Sequence, residues 1–431
     1  MMSKYFGTDG IRGKAYLDIT VEFVEKIGNA LAVLGNPRVI VGMDTRESSP
    51  VFKNVLVNTL KNAGFSVFDL NITSTPCLIY LTKVFNTLGV MITASHNPYD
   101  DNGIKIMDCG KKLNQEKIEI LEGAIGKKLK VESVHDISFF SIYDYLKAIK
   151  NFNIKKDYKV AFDFANGSLS YIYKDVMKFY DFRKTYVGCS PDGKNINQKC
   201  GSLYPDLLKQ TVNLESCDVG FAFDGDGDRL IAVDKEGNIY DGDHLIYIIA
   251  NYYKSKKKLA NNAVVLTEDV NPGVAQSFIL EKQIDVYKSK VGDRNVREKM
   301  DEVGAVIGGE TSGHIILSKL SPTGDGLMTA LFVLQILSET GKTLKELSES
   351  LTFFNILREN FPDFDDKYVG SVRFQKEIEE IKKSVQDNQD ALILVRKSGT
   401  QHLLRVTVST GDDARDKEIM KKIKEISGAT K

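Results

Sequence analysis

The fold is decided by residues 38–64, RVIVGMDTRESSPVFKNVLVNTLKNAG. RVIVGMD (38–44) is an apolar run that closes on an acid, Asp44, the pattern of a strand buried in a sheet. Val51, Val55, Leu56 and Leu60 then recur at helical spacing up to Gly64, a residue suited to ending a helix. Outward from this unit, FSVFDL (65–70) reads as a strand, CLIYLTKVF (77–85) as a helix and LGVMITAS (88–95) as a strand. The same opening returns twice. YKVAFDFANG (158–167) reaches Asp163, and AVVLTEDVNPG (263–273) reaches Glu268 and Asp269. The starts are separated by roughly 100 to 120 residues, a typical domain length. Three similar α/β units is therefore the economical reading. The alternation predicts a mostly parallel sheet in each, covered on both faces, with ligands beyond the carboxyl ends of the strands. The tail differs. SLTFFNILRENFPDFDDKY (350–368) reads as a linker, followed by a helix (372–386), two strands within 391–410 and a charged amphipathic helix (412–426), a small α+β domain.

Bulk properties narrow the function. The chain has 431 residues, 42% hydrophobic and 27% charged, an ordinary globular balance. Lys+Arg and Asp+Glu are both 58, and this zero net charge argues against a dedicated nucleic-acid or anionic-membrane binder. Cys77, Cys109, Cys189, Cys200 and Cys217 form no zinc spacing, and reduced thiols are expected. The N-terminus has no apolar leader region, and no apolar run is long enough to cross a bilayer. A cytoplasmic protein with no membrane or nucleic-acid partner is the expectation.

Four segments carry chemistry. VGFAFDGDGDRLIAVD (219–234) sets Asp224, Asp226 and Asp228 at alternate positions before Arg229. An EF-hand loop needs Gly at its sixth position and Glu at its twelfth, but Arg229 and Lys235 stand there, so that reading fails. Glycines between the acids let the backbone curl so that the carboxylates converge on a hard cation such as Mg²⁺. In VMITASHNPYDDNGIKI (90–106), Ser95 follows an apolar strand without a hydrolase elbow around it. His96 is its sequence neighbour, which makes a direct Ser-to-His relay awkward. A serine facing a cation-binding acidic loop suits a phosphoryl carrier, and Lys105 can place an ammonium near the same phosphate. GGETSGHI (308–315) alternates Glu310, Ser312 and His314, donors and acceptors for sugar hydroxyls. LVRKSGTQHLLRV (394–406) puts Arg396, Ser398, Gly399 and Thr400 between two strands as a phosphate nest. No P-loop or dinucleotide fingerprint occurs, although YFGTDGIRG (5–13) is glycine-rich around Arg12.

Together these segments resemble the phosphohexomutase superfamily over nearly the whole chain. FGTDGIRG, DTR (44–46), TASHNP, NGIK, PDGKNIN (191–197), FDGDGDR, KVGDR (290–294), GETSGH, TGDG (323–326) and RKSGT stand in the family's order. The wording of GTDGIRG, KVGDR and TASHNP leans to the glucosamine branch over the phosphomannomutase and phosphoglucomutase branches. The resemblance implies three mixed α/β domains around a central cleft plus a smaller C-terminal α+β domain. The expected boundaries are 1–150 (phosphoserine), 151–250 (metal), 251–355 (sugar recognition) and 356–431 (phosphate). It implies interconversion of glucosamine 6-phosphate and glucosamine 1-phosphate, feeding amino-sugar nucleotides and the cell wall. The intermediate is a 1,6-bisphosphate, which also serves as activator. Ser95 is then the phosphoserine, and Asp224, Asp226 and Asp228 hold Mg²⁺ with its phosphate. Arg12, His96, Lys105 and Arg229 line the transfer site, with Lys105 or His96 as general base, Lys105 only if its pKa is lowered. Lys290 and Asp293 lie near the sugar with Glu310, Ser312 and His314. Arg396, Ser398, Gly399 and Thr400 take the distal phosphate. The substrate is a small phosphosugar, and the family often forms homodimers. Residues 352–366 are the candidate hinge for a moving last domain. One departure stands out: Gln401-His402 replaces the family's usual Glu-Pro, so weaker or, through His402, pH-dependent phosphate binding is expected.

Overall fold

The structure is a computed structural model that describes residues 4–7, 9–132, 141–155, 157–385, 391–397 and 402–429. It contains four sheets among these residues, and the first three share one plan. Arg38–Met43 lies between Ser66–Ile72 and Leu88–Ile92, both parallel to it, and Asp101–Asp108 returns antiparallel beside Leu88–Ile92. Lys159–Asp163 lies in the same way between Arg183–Val187 and Val219–Phe223, with Leu230–Asp234 returning. Ala263–Thr267 repeats it between Asp285–Ser289 and Ile307–Gly309, with Ile315–Leu317 returning.

The sheets are thus mixed, where strand–helix alternation alone predicted mostly parallel ones. The reason is the length of the last connection. Residues 93–100, 224–229 and 310–314 are each shorter than the dozen or so residues a parallel crossover needs, so the chain makes a hairpin instead. This places the Ser95 segment, the Asp triplet and the Glu310–His314 segment at the same position in three equivalent units.

A shared core fixes the units relative to one another. Helix Gly326–Thr340 is apolar on all sides, with Leu327, Leu331, Val333, Leu334 and Ile336 buried, as a helix surrounded by protein must be. Its cluster runs from Leu78 and Met91 of the first unit through Phe221 and Phe223 of the second to Leu266 and Ile307 of the third. Asp325 caps this helix by accepting from the Met328 amide at 2.9 Å. The five cysteines are all free. Among the described residues no helix is long and apolar enough to cross a membrane.

The fourth sheet is antiparallel, with Leu404–Ser409 between Leu357–Phe361 and Leu392–Lys397. Helices Val372–Ser384 and Asp413–Ile426 cover one face, where Phe374, Ile378, Ile419 and Ile423 meet Phe361, Leu404, Val406 and Val408. The segment read as a linker therefore supplies an edge strand. Only its ends turn inward, Leu357 partly and Phe361 fully buried, while Arg358, Glu359 and Asn360 are exposed, as on an edge strand.

Candidate active site

Ser95 is buried and held in the left-handed backbone region, φ +54°, which a non-glycine residue adopts only when its surroundings impose it. Arg46 imposes it. Its guanidinium donates to the carbonyls of Ser95 (3.0 Å), Asn97 (2.9 Å) and Pro98, while its Nε donates to Asp44 (2.8 Å). Asp44 also accepts from Thr93 and Ser49 hydroxyls at 2.7 Å, and Thr93 Oγ1 accepts from the Ser95 amide at 3.0 Å. From the second unit, Asn197 donates to the Ser95 carbonyl at 2.9 Å. Held this way, Ser95 Oγ donates to Asp224 Oδ2 at 2.7 Å and lies 3.3 Å from His96 Nδ1. The Ser-to-His contact that adjacency made awkward is thus made, because the positive φ turns the two side chains toward one space.

The acids at 224, 226 and 228 are all buried, and one ligand oxygen from each lies within 4.8 Å of the others. Gly227, at φ +77°, supplies the curl. Gly225 supplies closeness: a Cβ there would stand 2.6 Å from the Ser95 carbonyl oxygen. Crowding shows in the protonation balance. Burial, then Asp228 and Asp226, hold Asp224 well above the ordinary carboxylate value. Asp228 goes the other way: burial opposes it, but Lys105 and His314 keep it well below that value. Asp226 Oδ1 and Asp228 Oδ1 are buried with no hydrogen-bond partner among the described residues. Hard oxygen donors left unsatisfied beside a strained acid cluster fit a divalent cation.

Lys105 Nζ lies 2.7 Å from Asp226, 3.2 Å from Asp228 and 2.9 Å from Asp9. Burial pulls this ammonium down, but the three carboxylates outweigh it and hold it well above the lysine value. The lowered lysine that general-base work requires is therefore not found here. His96 is the opposite case. Burial, then Arg229 and Arg12, push it down to about 4, so its ring is neutral near pH 7.

A cleft of about 310 Å³ opens over these groups, walled by Arg12, His96, Asp228, Arg229, Asp293, Glu310, Ser312 and His314. The structure thus brings most of the expected residues together from three units. Asp293 pairs with Lys112 and lies 3.6 Å from His314, whose ring is also 3.6 Å from Asp228. Burial opposes a charge on His314, but Asp228 and Asp293 raise it to about 9. Glu310 accepts from the Gly292 amide at 2.8 Å and from Ser312 at 3.3 Å. Lys290 is exposed and outside the cleft wall, which its neighbours Val291 and Gly292 form instead. Arg396 opens onto a second cavity of about 540 Å³ between the third and fourth units and pairs with Glu268 at 2.6 Å. Ser398, Gly399, Thr400 and Gln401 lie outside the described residues. His402 stacks on Phe364, ring centroids 4.5 Å apart.

Sequence reasoning assigned no role to Asp9, Lys112, Thr75, Arg46 or Asn197. Asp9 joins Lys105, Lys112 and Arg12, and Thr75 donates to Asp226 at 2.5 Å. Arg46 and Asn197 stand inside segments whose order was informative, DTR and PDGKNIN, but nothing in spacing announced which side chain braces the loop. The TGDG segment proves supporting: the Gly326 amide donates to the Gly227 carbonyl at 3.1 Å.

Comparison with known proteins agrees with this arrangement. Residues 3–132, 143–237 and 241–353 match the alpha/beta/alpha domains I, II and III of phosphoglucomutase/phosphomannomutase. Phosphoglucosamine mutase of Shouchella clausii is 39% identical, with 96% of each chain covered. That of Fusobacterium nucleatum is 40% identical, with 98% of each covered. Among solved structures, a phosphoglucomutase/phosphomannomutase family protein from Burkholderia thailandensis superposes with a TM-score of 0.80 at 22% identity, covering 97% of this chain and 96% of that one. Three units on one plan, a serine and an acid triplet meeting at equivalent hairpins, and identity along nearly the full length place the chain in the phosphohexomutase superfamily, within its phosphoglucosamine mutase family.

Proposed function

We propose that the protein interconverts glucosamine 6-phosphate and glucosamine 1-phosphate by way of phosphoserine at Ser95 and glucosamine 1,6-bisphosphate. The observation that carries this reading is the 2.7 Å contact between Ser95 Oγ and Asp224, which joins the hydroxyl and the acid triplet across two units. In the forward step the substrate's free hydroxyl oxygen attacks phosphorus in line. The bond to Ser95 Oγ breaks, and the hydroxyl proton leaves to a base. His96, neutral and 3.3 Å from Ser95 Oγ, suits that role better than Lys105, which holds its proton among three carboxylates. Arg12, Arg229 and Lys105 face the charge that spreads over the phosphoryl oxygens, so positioning and electrostatics supply most of the rate. The bisphosphate then turns end for end, and its other phosphoryl group returns to Ser95. Mg²⁺ is the cation proposed for Asp224, Asp226 and Asp228, and its chemistry is neutralisation of phosphoryl charge. Glu310, Ser312 and His314 would hold the sugar, and the Arg396 segment the distal phosphate. A hexosamine 1,6-bisphosphate is the activator. The setting is cytoplasmic and the assembly a homodimer, which light scattering tests.

Intact mass separates the phosphorylated from the free enzyme. Turnover of glucosamine 6-phosphate and mannose 6-phosphate is then measured with the cognate bisphosphate present. Glucosamine phosphate should be preferred, a chelator should abolish turnover, and Mg²⁺ should restore it. Ser95→Ala at full speed, or release of inorganic phosphate without isomerisation, would refute the reading.

A further inference from the structure

The cleft over Ser95 and the cavity under the fourth unit have two wall residues in common, Asp269 and Thr311. A sugar with one phosphate at Ser95 and the other toward Arg396 has to lie across that waist. The Thr311 hydroxyl is committed, donating to the Asp243 carboxylate at 3.1 Å. Asp269 is exposed and makes no side-chain hydrogen bond or ion pair among the described residues. Every other acid of the cleft is engaged. Asp9 pairs with Lys105 and Lys112, Asp293 with Lys112, Asp228 with Lys105, and Glu310 with the Gly292 amide and Ser312. At the place where the sugar ring belongs, one carboxylate still has its charge to give.

We infer that Asp269 is a specificity-determining residue whose carboxylate accepts a hydrogen bond from the 2-ammonium group of an amino-sugar phosphate. The inference rests on the amino-sugar reading above. A charge-assisted bond is roughly twice as strong as the neutral one that a 2-hydroxyl offers, so this contact separates glucosamine from glucose and mannose phosphates where shape hardly does. The sugar turns end for end during catalysis, so its C2 faces this wall in one of its two poses. The protein does not alter the overall equilibrium. A change at Asp269 must therefore lower kcat/KM for the amino sugar by the same factor in both directions.

The test compares Asp269→Asn with wild type, each loaded with Mg²⁺ and the cognate bisphosphate, on glucosamine 6-phosphate and glucose 6-phosphate. The preference for the amino sugar should fall about tenfold, the size of a lost hydrogen bond to a charged group, and Asp269→Glu should recover part of it. Where glucose phosphate turns over too slowly, the same ratio is read as Kd by calorimetry in a Ser95→Ala background. A preference within about twofold of wild type, or equal losses on both sugars, overturns the inference while the amino-sugar reading stands. A wild type that does not act on glucosamine 6-phosphate overturns both.

Discussion

Arg46 shows how much of the Ser95 turn is held by one buried side chain. It is fully buried, and its donors reach Asp44 and the loop carbonyls of Ser95, Asn97 and Pro98. A lysine keeps the charge but has no planar fork to span those acceptors. Arg46→Lys should therefore fold yet let Ser95 drift, and a displacement of about 1 Å at a reacting atom costs on the order of 10²-fold in rate. Measured kcat should fall by about that factor with KM little changed; an unchanged kcat would remove Arg46 from the positioning role. Arg46→Ala also strands Asp44 and should destabilise by about 3–5 kcal/mol, read from denaturant unfolding. Asp243 is a second residue-scale case, with a pH signature. Burial, then Asp241, push it from 3.8 up to about 7, with the Thr311 hydroxyl pulling against them and Asp269 adding to the rise. The folded protein then binds this proton more tightly than the unfolded chain does. Stability from this group is full below about pH 4 and is lost as pH rises through 7. Asp243→Asn removes that slope, so between about pH 4 and 8 the variant should gain on wild type by roughly 4 kcal/mol at most. Parallel stability curves for the two proteins would contradict the assignment.

Three hairpins are the elements that make the site, and their glycines set how closely they meet. Gly225 touches two neighbours: a Cβ there would stand 2.6 Å from the Ser95 carbonyl oxygen, and a Cβ on Gly167 would stand 2.3 Å from the Gly225 carbonyl oxygen. Both neighbours are backbone, so neither yields cheaply. Gly225→Ala should push the acid loop off the serine loop, lowering Mg²⁺ affinity and kcat together while far-UV circular dichroism stays native. Wild-type metal binding in that variant would show that the approach is slack. What the sequence disclosed and what it hid divide along this line. A strand closing on Asp44, Asp163 or Glu268 is a local pattern, and so is an acid at every second position. Both are legible because side-chain period and loop chemistry are written in neighbouring residues. Strand–helix alternation predicts a parallel fourth strand in each unit, whereas the short connections require a hairpin. Leu357–Phe361 was hidden because an edge strand with Arg358, Glu359 and Asn360 exposed resembles a polar linker. The bonds from Thr75 to Asp226, Lys112 to Asp293 and Asn197 to Ser95 cross more than 100 residues of chain, and no spacing rule connects such partners.

At the scale of the whole molecule, the fourth unit is attached differently from the other three. It has its own core, while the shared cluster joins the first three. Its tether is sharply divided. Thr352 and Phe354 are tied to the third unit, through the Ser277 hydroxyl at 2.9 Å and through Asn271, which bonds both the Phe354 amide (2.9 Å) and its carbonyl (2.8 Å). From Asn355 onward the bonds run to the fourth unit, from Ser409 at 2.6 Å and to Asp413 at 3.1 Å. The candidate hinge of 352–366 thus narrows to the peptide links around 354–356. Across the cavity beyond it, Arg396 and Glu268 make a partly exposed ion pair at 2.6 Å. Two groups compete for Arg396 in the proposed reaction, the Glu268 carboxylate and the distal phosphate of the sugar. An exposed pair contributes at most about 1 kcal/mol, so phosphate wins, but it wins against that pair on every binding event. Glu268→Gln removes the competitor without removing bulk. KM for the sugar phosphate should then fall by up to about fivefold at low ionic strength, and the difference from wild type should shrink as salt screens the pair. A raised KM would instead place Glu268 among the groups that hold the sugar. An unchanged KM at every salt concentration would mean that Arg396 takes no part in distal phosphate binding.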